Sequence, residues 1–413
     1  MRTAVGSWSL RAVVMTALAV GTVAGAADPL PRTQPQDVGL SSAKLDEATA
    51  LLDRFVKEQK IAGAVAGVAR HGKLAYLHAA GSQDLAARAP MTDRSLFRIY
   101  SMTKSVTATA VMMLFEEGRF SLSDPVSKYL PEFAAVRVAE ADGATRPPAR
   151  PVTVEDLLLH TSGLNHRTSS EYRAAGVRSR TMTLPQFVGN ITRAPLMEDP
   201  GTRYRYSESS TVLGRLVEIW SGRPFDVFLN ERIFKPLAMT DTMFWADADR
   251  RSRLTTVYSP GPGGALRPIE IEDVPFSERP ALLEGAVGLL STVPDFVRYS
   301  QMLLNRGQLD GARLLKPETV DRIVANGLPE PILKARGGGM GWGIANVNVV
   351  IDSTGLPYPA NAGEYGWDGS AGTIFWIDPG KKLITVLMAQ SSPADPDGLR
   401  RQFKTLVQES LVN

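Results

Sequence analysis

The chain has 413 residues, of which 44% are hydrophobic and 22% charged, the balance of a globular protein long enough for one large domain or two closely packed ones. A formal net charge of +3 gives no reason to expect nucleic acid or an anionic membrane surface as a partner. The absence of cysteine excludes disulfides, thiolate catalysis and cysteine-bound metals, and the four histidines lack the His-x-x-x-His spacing of a helical metal site.

Residues 1–26 have the pattern of a secretory signal peptide. Two arginines and no acidic residue precede an apolar run at 12–23, and Ala-Gly-Ala at 24–26 matches a small-x-small cleavage site. The run is shorter than the about 20 residues that a membrane-spanning helix needs, and no later segment is long and apolar enough to cross a membrane. We therefore expect residues 27–413 to form an exported chain, periplasmic or secreted, without stable membrane insertion.

The first elements of the exported chain are predicted to be a helix and a β-hairpin. Ser41 or Ser42 can cap a helix that runs to about residue 60, with its apolar residues on one face. Two apolar runs, 61–69 and 74–80, flank the sequence Arg-His-Gly-Lys, which is typical of a hairpin turn.

A serine and a lysine three residues apart follow, at the predicted first turn of a helix that runs to about Gly118. Residues at this spacing share a helix face, so the Lys104 amine can reach the Ser101 hydroxyl. Serine is a poor nucleophile until a base takes its proton, and burial can lower the pKa of a lysine until it serves as that base. Backbone N–H groups at a helix start suit a developing oxyanion. Ser-x-x-Lys also occurs by chance, so the motif alone leaves a solvated helix turn as the alternative.

Helices are predicted through the middle of the chain, and strands return in its last third. Thr153 opens a short helix with a capping-box pattern, and Gly163 suits its C-terminal cap. The remaining predicted elements are helices at about 210–220 and 225–234, loops at 165–182 and 255–280, a helix from about 294, strands at 341–350, 373–377 and 383–388, and a final helix at about 397–411.

Strands at both ends and helices between them predict an α+β fold. The simplest arrangement is one mainly antiparallel sheet flanked by helices and formed by residues of about 35–100 and 280–413. A mostly helical region of about 101–280 is then inserted, and an active-site cleft lies at the boundary between the two parts.

Five short segments, in this order, resemble one family, the serine hydrolases of the class C β-lactamase type. The segments are Ser101 to Lys104, Leu-Leu-His-Thr-Ser-Gly-Leu at 158–164, Pro-Gly-Thr at 200–202 leading to Tyr206, the stretch 285–292, and Gly-Trp-Asp-Gly-Ser at 366–370. The superfamily includes penicillin-binding D,D-peptidases and the family VIII carboxylesterases, and this chain is most similar to the esterases. The resemblance covers residues of about 35–410 and implies a β-lactamase-like fold.

The resemblance implies a role for each part of the site. Ser101 would be the acylated nucleophile, and Lys104 would hydrogen-bond to it and share its proton. Tyr206, at the first position of the Tyr-x-Asn motif, would act as partner base and acid for the leaving group. The backbone N–H groups of Ser101 and Ser370 would form the oxyanion hole. This two-step acyl transfer needs no metal and no cofactor.

The residues themselves agree with a lysine and tyrosine base. None of the four histidines lies in a convincing catalytic motif, and no Gly-x-Ser-x-Gly sequence is present. A lysine and a tyrosine placed close together also shift each other's pKa. The alternative for Tyr206 is an aromatic strand residue packed in the core, and His160 is expected to be a structural hydrogen-bonding residue behind the site.

Two departures from the family pattern bear on the substrate. Glu208 stands at the position of the family asparagine, and Trp367-Asp368-Gly369 stands where β-lactamases carry Lys-Thr-Gly. These four residues are predicted to line the substrate pocket. The resemblance assigns that lysine to the carboxylate of the drug, so an anion would here meet two carboxylates and no cation.

Neutral or amine-bearing acyl substrates are therefore expected to be preferred. A tryptophan in this motif is common among family VIII esterases and favours the same conclusion. Two alternatives stay open: Glu208 could point to solvent, and Arg167 or Arg203 could supply the missing cation.

The resulting prediction is a serine carboxylesterase that cleaves short-chain acyl esters through a Ser101 acyl-enzyme. The alternatives are a β-lactamase or D,D-peptidase-type amide hydrolase, an acyltransferase of the same superfamily, and a catalytically silent scaffold. Retention of Ser101, Lys104 and Tyr206 counts against the scaffold. The partner that the sequence calls for is a small-molecule ester or amide.

Overall fold

An eight-stranded antiparallel sheet forms the centre of the protein. A computed structural model describes residues 30–412, so the predicted signal peptide at 1–26 lies outside the described residues. In chain order the strands of the sheet are β1 (Gly63–Arg70), β2 (Lys73–Asp84), β3 (Ala89–Pro90), β4 (Met340–Gly343), β5 (Val347–Val350), β6 (Tyr365–Gly369), β7 (Thr373–Asp378) and β8 (Leu383–Ala389). Their order across the sheet is β4-β5-β6-β7-β8-β1-β2-β3. The N-terminal and C-terminal strands therefore share one sheet, as predicted.

Eleven α-helices lie within residues 30–412. They are α1 (Ser42–Lys57), α2 (Thr103–Glu116), α3 (Val154–Leu159), α4 (Ser170–Ala174), α5 (Leu184–Ile191), α6 (Ser209–Ser221), α7 (Phe225–Leu229), α8 (Val293–Leu304), α9 (Pro317–Ile323), α10 (Glu330–Ala335) and α11 (Leu399–Glu409). Each is too short or too polar to cross a lipid bilayer. Eight of them, α3 to α10, lie between α2 and the return of the chain to the sheet at β4.

Alternation along the strands gives the sheet two apolar faces. In β8, Ile384, Val386 and Met388 join one core cluster, and Leu383, Leu387 and Ala389 join the other. The second cluster is completed by α1 and α11, and the first by α8 and the helical region. Each fully buried leucine or phenylalanine of these layers contributes about 1.5–3 kcal/mol of hydrophobic free energy.

Several local predictions are confirmed. The Ser41 side chain caps α1 by accepting from the Lys44 N–H at 3.4 Å, and the buried residues of α1 are those of its predicted apolar face. The turn between β1 and β2 has His71 at φ 52° and Gly72 at φ 79°, the left-handed values that a two-residue hairpin turn requires. The capping box of Thr153 is formed on α3.

Four local predictions are wrong. The loop predicted at 165–182 contains the short helix α4. The single strand predicted at 341–350 is two strands, because Asn346 adopts a left-handed φ of 56° in a turn between them. The loop predicted at 255–280 contains a hairpin formed by Val257–Pro260 and Leu266–Ile269. Helix α3 is capped at its C-terminus by His160, with φ 55°, rather than by Gly163.

Candidate active site

Ser101 lies in a single 3₁₀ turn, Tyr100–Met102, that continues directly into α2. Tyr100 has a φ of 40°, which a bulky L-residue rarely adopts and which costs about 1–3 kcal/mol. Its fully buried ring holds this conformation by packing edge-on against Phe276, with ring centres 6.0 Å apart. The strained residue turns the chain immediately before Ser101, which remains 9% exposed.

Lys104 is completely buried beneath the serine. Its Nζ donates to Ser101 Oγ at 3.3 Å and to the carbonyl oxygen of Ala286 at 3.0 Å. Burial lowers the pKa of the Lys104 ammonium from 10.5 to about 8, and the charge of Glu208 is the strongest opposing influence. The neutral amine is then a minor form at pH 7, but a far more populated one than for an exposed lysine, and it can accept the Ser101 proton.

The Tyr206 side chain lies between Lys104 and Trp367. It accepts from Trp367 Nε1 at 3.0 Å, and Lys104 Nζ lies 4.7 Å from the centre of its ring. Burial raises the pKa of the Tyr206 phenol above its usual 10.0, against the opposing effects of Ser101 and Trp367. Burial thus favours the neutral form of both groups, an arrangement in which Lys104 can accept a proton and Tyr206 can donate one.

Aromatic rings surround Tyr206 on the remaining sides. Its ring centre lies 4.9 Å from that of His160, 5.7 Å from that of His166 and 6.0 Å from that of Trp342. The packed-core interpretation of Tyr206 and the catalytic one therefore describe the same side chain: its ring is packed, and its hydroxyl lies beside the functional groups.

His160 supports the segment that carries Tyr206. Its Nδ1 accepts from the Ser207 backbone N–H at 3.2 Å and lies 3.0 Å from Ser207 Oγ. Burial, aided by the positive charge of Lys104, holds the pKa of this imidazole well below 6.5. The neutral, enclosed ring is a structural hydrogen-bonding residue, as expected from the sequence.

Ser370 is the exposed residue of the turn 370–372, which connects β6 to β7. This turn packs against the backbone leading to the nucleophile, because a Cβ atom on Gly369 would lie 2.4 Å from the Ile99 carbonyl oxygen. Thr373, at the other end of the turn, donates its hydroxyl to the same carbonyl at 3.3 Å. The oxyanion-hole role of the Ser101 and Ser370 N–H groups stays a prediction.

Glu208 is fully buried, so the alternative of a solvent-directed side chain is wrong. It precedes α6, and its Oε2 accepts from Thr211 at 3.4 Å. Asp368 is neutralised by Arg400, with 2.6 Å between Nη1 and Oδ2. Asp368 is thus paired with a cation, whereas Glu208 Oε1 has no hydrogen-bond partner among residues 30–412. The expected preference for neutral or amine-bearing substrates stays a prediction.

Of the two arginines considered for the missing cation, Arg167 lies near the site and Arg203 is exposed at the surface. The Arg167 side chain is 10% exposed, and its guanidinium carbon lies 5.4 Å from the ring centre of Tyr100. It faces Glu272 at 3.5 Å, and Glu272 is held more closely by Arg178 at 2.6 Å.

The sequence analysis did not identify this buried cluster of charges. Its members are Arg167, Arg178, Arg180, Glu272 and Glu284. All come from two segments predicted as loops or from their margins, where charged residues are usually solvated. The one available signal was the position of Glu284, directly before the segment 285–292.

Trp367 and Asp368 also line a cavity of about 430 Å³ that lies between the sheet and α11. Ser101 is not among the residues that line it. The four residues predicted to line the pocket therefore lie in different places. Trp367 contacts Tyr206, and Gly369 packs against Ile99. Asp368 turns toward α11, and Glu208 is buried near Lys104. Among residues 30–412, no cluster of acidic and histidine side chains is arranged to hold a metal ion.

Comparison with known proteins agrees with this geometry. A family model described as Beta-lactamase matches residues 48–409. Protein Rv1367c of Mycobacterium tuberculosis (strain ATCC 25618 / H37Rv) is 35% identical over 354 residues, which are 81% of this chain and 86% of that protein. Esterase EstB of Burkholderia gladioli is 30% identical over 381 residues, which are 86% of this chain and 92% of that protein.

Among solved structures, EstCE1, a hydrolase with promiscuous acyltransferase activity, superposes with a TM-score of 0.78 at 25% identity. The match covers 90% of this chain and 99% of EstCE1. A family match over most of the sequence, with relatives similar across nearly their whole length, shows that this chain belongs to the β-lactamase family and is a serine hydrolase of the β-lactamase fold.

Proposed function

We propose that the protein is an exported carboxylesterase that cleaves short-chain acyl esters through a Ser101 acyl-enzyme. We choose an ester as the substrate because Trp367 Nε1 donates a hydrogen bond, 3.0 Å long, to the Tyr206 hydroxyl. The β-lactamase pattern has a lysine at this position, and its cation binds the drug carboxylate. Here the neutral indole of Trp367 stands in its place and orients Tyr206, the proposed proton donor. The similarity to Esterase EstB supports the same substrate class.

In the proposed reaction, neutral Lys104 takes the Ser101 proton as Oγ bonds to the ester carbonyl carbon. The carbonyl π electrons move to oxygen, and the N–H groups of Ser101 and Ser370 stabilise that oxyanion. When the tetrahedral intermediate collapses, Tyr206 gives its proton to the departing alcohol and recovers one from Lys104. Water then attacks the acyl-enzyme by the same steps in reverse, which releases the acid and restores the Ser101 hydroxyl.

Acyl transfer to an alcohol is a second candidate activity. It is favoured by the similarity to EstCE1, whose description includes promiscuous acyltransferase activity. The chemistry differs only in the group that resolves the acyl-enzyme, because an alcohol takes the place of water. Amide hydrolysis of the β-lactamase or D,D-peptidase type is the remaining alternative.

Paired initial rates test the proposal. We expect the exported form to hydrolyse p-nitrophenyl butyrate with a far higher kcat/KM than a chromogenic cephalosporin. A butyryl ester formed in the presence of added alcohol would establish the transferase activity. Dominant cephalosporin turnover would replace the esterase proposal by the β-lactamase alternative.

We expect kcat/KM to rise with pH as the Lys104 ammonium loses its proton. The neutral amine is the reactive form and burial lowers its pKa to about 8, so kcat/KM should increase as pH rises through about 8. Glu208→Gln removes a negative charge that favours the protonated amine, so this variant should shift the rise to lower pH by about one unit. Glu155→Gln, on the exposed face of α3, is the control. An unchanged profile in Glu208→Gln would remove Lys104 from the role of base.

Arg167 is expected to favour substrates that carry a negative charge. Arg167→Gln should raise KM about 10-fold for the mono-p-nitrophenyl ester of glutaric acid, since losing one charge contact costs about 1.4 kcal/mol. The KM for p-nitrophenyl butyrate should stay within about 2-fold, because a neutral acyl group gains nothing from the guanidinium. Arg203→Gln is the matched control. Equal changes for both esters would contradict a charge-selective role.

A further inference from the structure

Arg400 connects α11 to the turn that carries Ser370. Its Nη1 donates to Asp368 Oδ2 at 2.6 Å, and its Nη2 donates to the carbonyl oxygens of Gly369 at 2.7 Å and Thr373 at 3.3 Å. The side chain is 10% exposed. Its own backbone N–H is fixed by Asp395 Oδ1 at 2.8 Å, so both ends of the residue are held.

The guanidinium approaches this turn from the face of the sheet opposite the nucleophile. Trp367 projects toward Tyr206 on one face, and Asp368 projects toward α11 on the other, because side chains alternate along β6. Gly369 and Thr373 are the last residue of β6 and the first of β7, and they pair with each other across the turn. The Arg400 side chain therefore binds the last residue of β6, the first residue of β7 and Asp368.

The same turn is fixed on its other side by the backbone of the nucleophile segment. Gly369 packs against the Ile99 carbonyl, to which Thr373 also donates. The turn is thus held between Ile99 in front and Arg400 behind. The two residues after Ser370 are held as well, since the Ala371 carbonyl accepts from the Ser391 N–H at 2.9 Å and the Gly372 carbonyl accepts from the Ala389 N–H at 3.1 Å. Ser370 itself is exposed, so its backbone N–H is positioned by these contacts on either side of it, of which those of Arg400 are the charged ones.

We propose that Arg400 is a positioning residue for the oxyanion hole, acting through the turn at 370–372 without touching the substrate. This inference rests on the proposed function, because it assigns the Ser370 N–H to the oxyanion. Stabilisation of an oxyanion depends on donors already fixed where charge develops, and a small misplacement of a group can cost large factors in rate. Arg400 supplies that fixation with charge-assisted hydrogen bonds, which are the strong ones.

The cavity of about 430 Å³ borders Arg400 and makes its role testable by chemical rescue. The same cavity is bordered by the exposed Arg401, so it communicates with the surface. Truncation of Arg400 to alanine enlarges this space by the volume of a guanidinium group. A guanidinium ion from solution can then occupy the vacated position and restore the hydrogen bonds to the three acceptors.

Arg400→Ala is expected to lower kcat for p-nitrophenyl butyrate about 30-fold, a smaller loss than removal of an oxyanion-hole donor itself. KM should change less than about 3-fold, because ground-state binding does not use the oxyanion hole. Millimolar guanidinium chloride should restore a large part of kcat with saturation, and sodium chloride at equal concentration should not. Arg401→Ala is the matched control, because this adjacent arginine has no ion pair within residues 30–412, and it should behave as the unaltered protein with and without guanidinium.

A wild-type kcat in Arg400→Ala, or a loss that guanidinium does not restore while the thermal transition matches that of the unaltered protein, would overturn the inference. If the alanine variant fails to fold, Arg400→Lys provides the test. A lysine cannot reach all three acceptors, so kcat should still fall while KM stays the same. A wild-type kcat in Arg400→Lys would overturn the inference. Absence of Ser101-dependent ester turnover in the unaltered protein would instead count against the proposed function.

Discussion

Replacement of Ser101 by alanine is expected to lower kcat for ester hydrolysis by about 10⁴-fold or more, since removing a nucleophile leaves only binding and the oxyanion hole. Little else should change, because the hydrogen bond that the hydroxyl accepts from Lys104 Nζ is long, 3.3 Å. The thermal transition should therefore stay within a few degrees of that of the unaltered protein, as for a change of about 1 kcal/mol or less. Initial rates and thermal unfolding of both proteins provide the measurement.

Ser105 offers a matched control on the same helix. It is also a buried serine, and its hydroxyl lies 2.9 Å from that of Tyr299, away from the reactive group. Ser105→Ala should keep its activity while losing about 1 kcal/mol of stability with that hydrogen bond. A fluorophosphonate probe should label the unaltered protein and Ser105→Ala on Ser101, and should leave Ser101→Ala unlabelled. Labelling of a different residue, with activity preserved in Ser101→Ala, would refute the nucleophile assignment.

Tyr206→Phe is expected to lower kcat about 10³-fold for alkyl esters, because general acid catalysis of a poor leaving group is lost. For p-nitrophenyl esters the loss should be much smaller, since p-nitrophenolate leaves without a proton. The variant also leaves Trp367 Nε1 without its acceptor, which should cost about 1–3 kcal/mol of stability. Rates on ethyl butyrate and p-nitrophenyl butyrate, measured side by side, separate these effects.

Tyr204→Phe is the corresponding control, two residues away on the same segment. The Tyr204 ring packs against Trp342 with 5.4 Å between centres, and its hydroxyl does not contact Trp367. Its activity should be close to that of the unaltered protein on both esters. If Tyr206→Phe lost the same factor on both esters, proton donation to the leaving group would not be its function.

The local part of the site could be predicted from the sequence, and the distant part could not. Ser101, in the 3₁₀ turn, and Lys104, in the first turn of α2, are three residues apart, so local helical geometry brings them together. The contact between Tyr206 and Trp367 joins residues far apart in the chain, and only the family resemblance placed them in one site. Arg400 could not be found in this way, because a basic residue in a helix is usually a surface residue.

The fold shows the same division. The hairpin of β1 and β2 and the helix α1 follow from periodicity and turn residues within short windows. Strand β6 was not predicted as a strand, because its sequence, Tyr-Gly-Trp-Asp-Gly, contains two glycines that are unfavourable for one. Both glycines are required by packing: a Cβ on Gly366 would lie 2.1 Å from the Phe375 carbonyl oxygen, and Gly369 packs against Ile99.

The pairing of β1 with β8 has a consequence for how the chain folds. Ala64 lies opposite Ala389, so the centre of the sheet joins strands from the two ends of the chain. Long-range pairing of this kind slows folding, because the entropy of closing a very large loop is lost before the contacts form. Until synthesis reaches β8, the first hairpin has no partner on that side. The complete sheet therefore cannot form until the chain has been made as far as β8.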